Sequence, residues 1–430
     1  MNSKTLRQVL YDMKHQPVIG IVTMIGTALA IFLMMVVVMM DRVTTAQFAP
    51  EVNRGRTLYG RFINIANDSR GQDSSAGLSE KMARRLYDNL DGAVCTSISY
   101  SQTQKDVMVQ GKPASMRYVK MTDHNFWQIY DFDFITGRAF DQESFESSAK
   151  DAVISESTAR SLFGSDDPVG QTILIAQKPF KVVGVVADVS QLGREAFAEV
   201  YISYRGFGVQ DVTWGGDEFG GVFGPFEAVI LAESPATFDR IRADVQSRKQ
   251  QFDTEIKAVD ENSYLKDHGS PFTQEEVYTV RGSNGDPDHS GATRRLLIYA
   301  ILLIVPAINL SSMTQSRLYR RISEIGVKRA FGSTRMRIIG GILGENFLVT
   351  LAGGIVGLLL CFVFGYFFSD MVFTSTGIER ETSVPMQLLF DWKLYSMALL
   401  FCFILNMLSS GVPAWRASRI DPVRALSGKI

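Results

Sequence analysis

Four long apolar blocks constrain this chain more than any other feature. The first, Val18–Met40, has 23 residues and no charged side chain. At a rise of about 1.5 Å per residue, such a helix slightly exceeds a hydrocarbon core of roughly 30 Å. A cleavable signal peptide is the alternative, but its apolar core is usually shorter. The other blocks are Leu296–Met313, Phe347–Phe368 and Leu394–Val412, so we predict four transmembrane helices.

Basic residues predict the orientation of these spans, because cytoplasmic loops are enriched in Lys and Arg. They cluster before the first span, in residues 314–346 and in the tail 413–430, whereas the loop 369–393 carries more acidic than basic residues. We therefore expect both termini and 314–346 in the cytoplasm, with 41–295 and 369–393 outside it. Residues 1–17 place apolar side chains at helical spacing opposite basic ones, which predicts a cytoplasmic amphipathic elbow helix.

The large external segment is predicted to have an α/β fold with two subdomains, the second (residues 126–204) inserted in the first. Helical and alternating patterns predict these elements. They are helices over Leu78–Leu90, Glu156–Phe163 and Ala236–Phe252, a strand or hairpin over Val94–Gln110, and strands over Ala152–Ser155, Ile173–Ile175, Phe180–Val186, Phe226–Ala232 and Glu255–Val259.

Several kinds of site are absent from the sequence. There is no P-loop motif, so the chain cannot hold a nucleoside triphosphate in the P-loop manner, and if ATP is used we expect another protein to bind it. The net charge of −1 gives no basic field for nucleic acid, and the four histidines lack the spacing of a zinc site. Residues 215–219 spell GGDEF, a nucleotide-binding turn of cyclases, but their predicted external location argues against that enzyme. We therefore expect no catalytic, cofactor or metal site, and an ATPase activity only in a partner.

Small residues recur every four positions along the third apolar block. They are Gly353, Gly357, Cys361 and Gly365. Because this spacing places them on one helix face, another helix backbone can approach closely there. We predict a helix-packing face.

The stretch after the second block predicts an amphipathic helix. Leu318, Ile322 and Ile325 lie at i, i+4 and i+7, with basic residues on the other sides. Such a helix fits a groove of a partner protein, and it equally fits a basic anchor for anionic lipid headgroups. The residue pattern alone leaves both interpretations open.

Several motifs along the chain resemble those of the MacB/FtsX-like permease family of ABC transporters. They are EIGVKRAFGS (Glu324–Ser333), Glu345, the tail PAWRASRIDPVRAL (Pro413–Leu426), FDFITGRAF (Phe132–Phe140), VISESTARSLFGSDDPVGQTI (Val153–Ile173) and FKVVGVVADV (Phe180–Val189). Their order along the chain spans nearly its whole length.

The resemblance implies a four-span permease of the mechanotransmission type, without a fused ATPase domain, in a bacterial inner membrane. Its external domain would combine a porter-like subdomain with an inserted small β-rich one. A separate cytoplasmic ABC ATPase would bind ATP and Mg²⁺, and a second permease would complete a homodimer or heterodimer. The implied ATPase-coupling residues are Leu318, Ile322, Glu324, Ile325, Gly326, Lys328 and Arg329.

Efflux or envelope export is the first function that the resemblance implies, with a periplasmic adaptor and an outer-membrane channel as further partners. The alternatives are an FtsX-like regulatory subunit that acts on a periplasmic partner and a lipoprotein-release permease. An enzyme is the least favoured class. Membrane lipid is an expected contact and nucleic acid is not.

Overall fold

The structure, a computed structural model, describes residues 47–191, 193–214, 221–266, 270–279 and 330–373, with scattered positions in 24–36, 293–301, 325–327 and 396–415. The chain forms two compact units. Residues 44–289 are called the large unit here, and residues 1–43 with 290–430 the helical unit. The bounds of the large unit lie within six residues of the predicted external segment, 41–295. Its side of the membrane stays a prediction.

The described part of the large unit is an α/β domain. Its strands are β1 (Thr57–Gly60), β2 (Ile63–Asn67), β3 (Gln72–Ala76), β4 (Ala93–Met108), β5 (Ser115–Thr122), β6 (Phe134–Gly137), β7 (Asp151–Ser155), β8 (Thr172–Ile175), β9 (Lys178–Val186), β10 (Val200–Ser203), β11 (Phe226–Ala232), β12 (Ser263–Lys266) and β13 (Phe272–Thr273). Its helices are α1 (Glu80–Tyr87), α2 (Phe126–Ile129), α3 (Gln142–Glu146), α4 (Glu156–Phe163), α5 (Tyr204–Phe207), α6 (Phe238–Val259) and α7 (Gln274–Thr279). Short 3-10 helices, Arg54–Arg56 and Pro235–Thr237, precede β1 and α6.

One ten-stranded sheet organises this unit. The strand order is β13-β1-β11-β4-β5-β10-β7-β9-β6, with β8 beside β4 and β9. The pairs β5–β10 and β7–β9 are parallel, and the other pairs in this sheet are antiparallel. A separate three-stranded sheet has the order β12-β2-β3.

The predicted inserted subdomain, residues 126–204, supplies β6 to β10. Its strands continue the sheet of the flanking residues, because Val200 of β10 lies opposite Val119 of β5 and Ile175 of β8 opposite Val107 of β4. The segment is therefore inserted in the sequence but shares one sheet with its host.

The two faces of the sheet bury different side chains. Because neighbouring residues of a strand point to opposite faces, Leu58 and Ile230 lie in one core cluster, with helices α1 and α6, while Tyr59 and Leu231 lie in the other. The second cluster is rich in aromatic residues. Its rings include Phe126, Trp127, Tyr130, Phe132, Phe140 and Tyr201.

The prediction of a strand over Glu255–Val259 is wrong. These residues are the last turns of α6, where Ile256 is 1% exposed and continues the buried stripe of Ile241, Val245 and Phe252. Helical spacing of the buried side chains thus overrides the short apolar run that suggested a strand. By contrast, α4 and β11 have the predicted bounds, and α1 lies within the predicted helix.

In the helical unit, α8 (Arg335–Phe373) includes the third apolar block. Thr334 precedes α8, and its Oγ1 accepts a hydrogen bond from Arg337 N at 3.4 Å. Among the residues that the structure describes, no helix combines the length and apolarity needed to cross a membrane. The elbow at 1–17, most of the loop 369–393 and nearly all of the tail 413–430 lie outside the described residues. The four spans stay a prediction.

Candidate coupling and packing sites

The chain enters and leaves the large unit along neighbouring strands. Strand β1 pairs with β13 antiparallel, so that Leu58 lies opposite Thr273 and Tyr59 opposite Phe272. Ladder hydrogen bonds therefore join the two strands that are nearest to the first and second apolar blocks in the sequence. A displacement of the chain before β1 or of the chain after β13 therefore acts on the same edge of the sheet.

Polar contacts from helix α6 hold the departing strand in place. Lys249 of α6 is 6% exposed, and its Nζ donates to the carbonyl oxygen and to Oγ of Ser270 at 2.9 and 2.8 Å. Arg242, which precedes Lys249 on the same helix, donates to Pro271 O at 3.2 Å and to Glu276 Oε2 at 2.6 Å. The departing segment is thus bonded to the long helix as well as to β1.

A cluster of charged side chains lies on the aromatic face of the sheet. Glu227 of β11 accepts from Lys120 Nζ of β5 at 2.8 Å, and Arg61 is bonded to Glu195 and lies 3.7 Å from Glu227. Burial by itself raises the pKa of Glu227, but the positive charges of Lys120 and Arg61 outweigh it and lower that pKa. Glu227 is therefore a carboxylate held ionised by its neighbours.

A second polar network joins α1 to α5. Arg84 donates to Tyr204 Oη at 2.7 Å and to Glu80 Oε1 at 2.8 Å, and Tyr204 Oη donates to the same carboxylate oxygen at 2.8 Å. Arg205 lies 3.6 Å from Glu80. Because α5 closes the inserted segment and α1 belongs to its host, this network connects the two predicted subdomains.

The structure describes only one of the predicted ATPase-coupling residues. Ile325 is 7% exposed and packs with Ile338 and Ile342, so this member of the predicted apolar stripe is covered within the chain. The other coupling residues lie outside the described part of the chain. They are Leu318, Ile322, Glu324, Gly326, Lys328 and Arg329.

Two exposed apolar side chains that the sequence did not single out lie just after this stretch. Phe331 is 88% exposed and Met336 is 77% exposed. They flank the turn at Gly332, whose φ of +84° is a left-handed conformation that glycine adopts readily. The available signal was that Phe331 lies within the motif EIGVKRAFGS and that Met336 follows its end by three residues.

The predicted packing face of α8 is buried inside the helical unit. Gly353, Gly357 and Cys361 are buried, whereas Leu351 and Leu359 are 42% and 60% exposed. Gly365 belongs to the same helix, and its surroundings lie outside the described residues.

The first apolar block contributes to the contacts of α8. The Phe32 ring lies 5.3 Å from the Phe364 ring in an edge-on arrangement, and Phe364 follows Cys361 by three residues. Ala28 and Met35, which lie on the Phe32 side of that block at helical spacing, are 2% and 1% exposed. The first and third apolar blocks therefore meet within one chain.

Reactive groups are sparse among the described residues. They contain no group of three or more His, Cys, Asp or Glu side chains arranged to hold a metal ion. Burial raises the pKa of the Cys95 thiol to about 11, so the thiolate is scarce at neutral pH. Residues 215–219 lie outside the described part.

Two family models cover most of the sequence. The MacB-like periplasmic core domain matches residues 21–248, more than half of the chain, and the FtsX-like permease C-terminal domain matches residues 296–422. The chain belongs to the MacB/FtsX-like family of ABC transporter permeases. Membership implies an inner-membrane protein.

Curated relatives agree with this family. "Macrolide export ATP-binding/permease protein MacB 2" of Aeromonas hydrophila is 24% identical over 98% of this chain and 60% of its own length. "Uncharacterized ABC transporter permease YknZ" of Bacillus subtilis is 24% identical over 68% of this chain and 65% of its own. MacB of Vibrio parahaemolyticus is 24% identical over 72% of this chain and 42% of its own. The chain thus spans about half the length of the MacB relatives it matches.

Two solved domains are also similar to parts of this chain. The periplasmic region of MacB from Actinobacillus actinomycetemcomitans is 16% identical, covers 52% of this chain and 92% of that one, and gives a TM-score of 0.34. The extracellular domain of YknZ from Gram-positive bacteria is 15% identical, covers 48% of this chain and all of that one, and gives a TM-score of 0.32.

Proposed function

We propose that this chain is a membrane subunit that couples ATP hydrolysis by a separate cytoplasmic ABC ATPase to motion of its extracytoplasmic domain. It would act as a homodimer or heterodimer in efflux or envelope export. ATP and Mg²⁺ would bind to the ATPase, since no P-loop is present in this sequence. A periplasmic adaptor and an outer-membrane channel would be the further partners of an exporter.

The adjacency of β1 and β13 carries this proposal. A domain that moves with the spans must receive displacement from the segments that connect it to them. In the large unit those connections continue into two strands that share one ladder, so both act on one sheet edge. The sheet runs from there without a break to β6 in the inserted segment. A displacement at this edge therefore acts on strands that hydrogen bonds and a shared core connect to the inserted segment.

The cytoplasmic stretch 314–346 would receive the ATPase. Its basic and apolar residues include the family motif, and its described end presents Phe331 and Met336 to solvent. Large exposed apolar side chains next to charged ones are typical of the centre of a protein interface. Ile325, which is buried against Ile338, would instead fix the position of this stretch.

Two substitutions test the coupling. Gly326→Trp and Glu324→Lys should leave membrane insertion intact, because neither position lies in an apolar block. Loss of a contact at a well-packed interface costs about 1–4 kcal/mol, which weakens capture of the ATPase by roughly tenfold or more. The measurements are pull-down of the cognate ATPase and transporter-stimulated ATP hydrolysis in nanodiscs.

Leu359→Ala is the matched control, because its side chain is exposed on α8 and lies outside the coupling stretch. It should bind and stimulate the ATPase like the parent. If both coupling variants also do so, the stretch is not the ATPase contact and the lipid-anchor interpretation is the better one.

A further inference from the structure

A buried carboxylate holds the residues that follow the first apolar block. Glu51 is 1% exposed, and its Oε2 accepts a hydrogen bond from Arg54 Nε at 2.6 Å. Its Oε1 accepts from the backbone N–H groups of Glu195 and Ala196 at 3.0 and 2.9 Å. Arg54 is 3% exposed and its guanidinium lies over the Phe48 ring, 4.3 Å from the centroid. The carboxylate is therefore fixed from both sides.

Two further hydrogen bonds hold the same stretch, residues 48–56, which we call the leading segment. Pro50 O accepts from Asp131 N at 2.9 Å, and Asn53 Nδ2 donates to Ile129 O at 2.8 Å. The leading segment is thus bonded to residues 129–131 and to residues 195–196. Both stretches belong to the predicted inserted subdomain, 126–204.

A buried ion pair is a poor device for stability alone. Removing a carboxylate and a guanidinium from water costs free energy that their attraction only partly offsets, so an apolar pair of similar volume is often as stable. Here burial raises the pKa of Glu51, although Arg54 opposes that rise, which shows that the charged form is held at a cost. A positional role explains why charge is present at this point.

The geometry is suited to such a role. The two amides that Glu51 binds are consecutive backbone groups, so the carboxylate fixes the path of the loop whatever side chains the loop carries. The leading segment then continues directly into β1, the strand next to β13. One carboxylate therefore connects the chain between the first apolar block and the sheet to the loop between β9 and β10.

We propose that Glu51 is a positioning residue that passes movement of the first apolar block to the loop at Glu195 and Ala196, and through it to residues 126–204. The inference rests on the proposed function, since it names the contact through which the motion travels. Without the hydrogen bonds from Glu51 to Glu195 and Ala196, the leading segment would move and the inserted subdomain would follow it less.

The test uses the full chain with its cognate ATPase in nanodiscs. Spin labels at Glu143 and Gln250, both exposed, report the distance between the inserted subdomain and α6 with and without ATP. We expect Glu51→Ala to hydrolyse ATP like the parent and to lose roughly half or more of the ATP-dependent distance change, because residues along a coupled contact alter coupling by about twofold or more. Hydrogen exchange at Glu195 should be faster in the variant, since its N–H loses the acceptor Glu51 Oε1.

Two other variants sharpen the result. Glu51→Gln keeps an oxygen for the two amides and loses the charge that pairs with Arg54, so it reports on the clamp if the alanine variant does not fold. It should show a partial loss of the distance change. Glu156→Ala is the matched control, because it removes a partly exposed glutamate that pairs with Arg160 in the same unit.

The outcomes separate the two proposals. If the parent, Glu51→Ala and Glu51→Gln all show the same ATP-dependent distance change, the proposed role of Glu51 is wrong and the proposed function still stands. If Glu156→Ala and Glu51→Ala lose the same share of the ATP-dependent distance change, the proposed role of Glu51 is also wrong, because the effect would not be specific to its contacts. A parent that shows no ATP-dependent distance change also overturns this inference, because residues 126–204 then do not move relative to α6. The proposed function fails separately, if the cognate ATPase is neither captured nor stimulated by the parent.

Discussion

Two glycines of different family motifs face each other across the outermost strand pair of the large sheet. Gly137 of β6 lies opposite Gly184 of β9. A Cβ built on Gly184 would lie 2.5 Å from the carbonyl oxygen of Arg138 and 3.1 Å from its N and C atoms. All three are backbone atoms, so no side-chain rotation relieves the overlap. We therefore expect Gly184→Ala to be destabilising.

The size of the effect follows from the distances. Ordinary contact begins at 3.4 Å, so the backbones must separate by about 0.9 Å, the difference between 3.4 and 2.5 Å. Arg138 N donates to Val183 O at 3.0 Å, and that bond does not survive such a separation. Overpacking and one lost hydrogen bond together cost about 2–4 kcal/mol. For a domain of this size, Tm should fall by roughly 5–15 °C.

Gly55→Ala provides the control. The nearest atom to its Cβ is Gln47 Nε2 at 2.6 Å, a similar overlap, but this atom is the far end of an exposed, flexible side chain. We expect a change in stability of no more than about 0.5 kcal/mol. Thermal unfolding of the purified full-length protein, followed by circular dichroism and by protease resistance, measures both variants. A Tm of Gly184→Ala equal to that of Gly55→Ala would refute the steric argument.

Two further predictions concern the helical unit and the charged cluster. Gly357→Leu should impair folding or assembly, because the position is buried and overpacking costs about 1–3 kcal/mol. Leu359→Ala, at an exposed position of the same helix, should have a mild effect. Equal yields of folded dimer for the two variants in size-exclusion chromatography would contradict a directional packing face. Glu227→Gln should lower the free energy of unfolding by roughly 1–3 kcal/mol at neutral pH, because Lys120 then keeps only an uncharged partner. The lowered pKa of Glu227 means that the ionised carboxylate stabilises the fold above its ordinary value of 4.5 and that this contribution is lost as the pH falls through the folded-state value. The difference between parent and Glu227→Gln in denaturant midpoint should therefore stay constant at neutral pH and shrink as the pH is lowered below 4.5, and a difference that stays constant there would count against the ion pair.

Local sequence patterns by themselves determine a good part of this protein. The helix Glu156–Phe163 has the predicted bounds because its signals lie beside it: Ser155 Oγ accepts from Thr158 N at 3.3 Å, and Gly164 follows with a φ of +71°. The repeat of small residues along α8 predicts a packing face, and its members Gly353, Gly357 and Cys361 are buried in the described residues. Family membership followed from the order of motifs along the chain. All of these signals are read within one segment or from segment order.

The end of α6 shows where a local pattern was wrong, and Ile325 shows where one leaves two environments open. The short apolar run ending at Val259 fits a strand or a helix, and only packing of Ile256 in the core decided for the helix. Ile325 fits an interface or a core position equally well, and the structure buries it against Ile338. A hydrophobic side chain specifies that it will be covered, but not by what.

Tertiary structure alone decided which distant residues meet. Glu51 binds amides 144 and 145 residues away, Gly137 lies opposite Gly184, and Phe32 reaches Phe364. A backbone N–H is the same donor in every residue except proline, so nothing in the sequence around Glu195 marks it as the partner of Glu51. The clash that requires a glycine at position 184 depends on the register of β6 against β9, which is fixed only when both strands pack on the same core. Local sequence thus indicated most of the elements and the family, whereas three-dimensional packing decided the end of α6 and the contacts between distant residues.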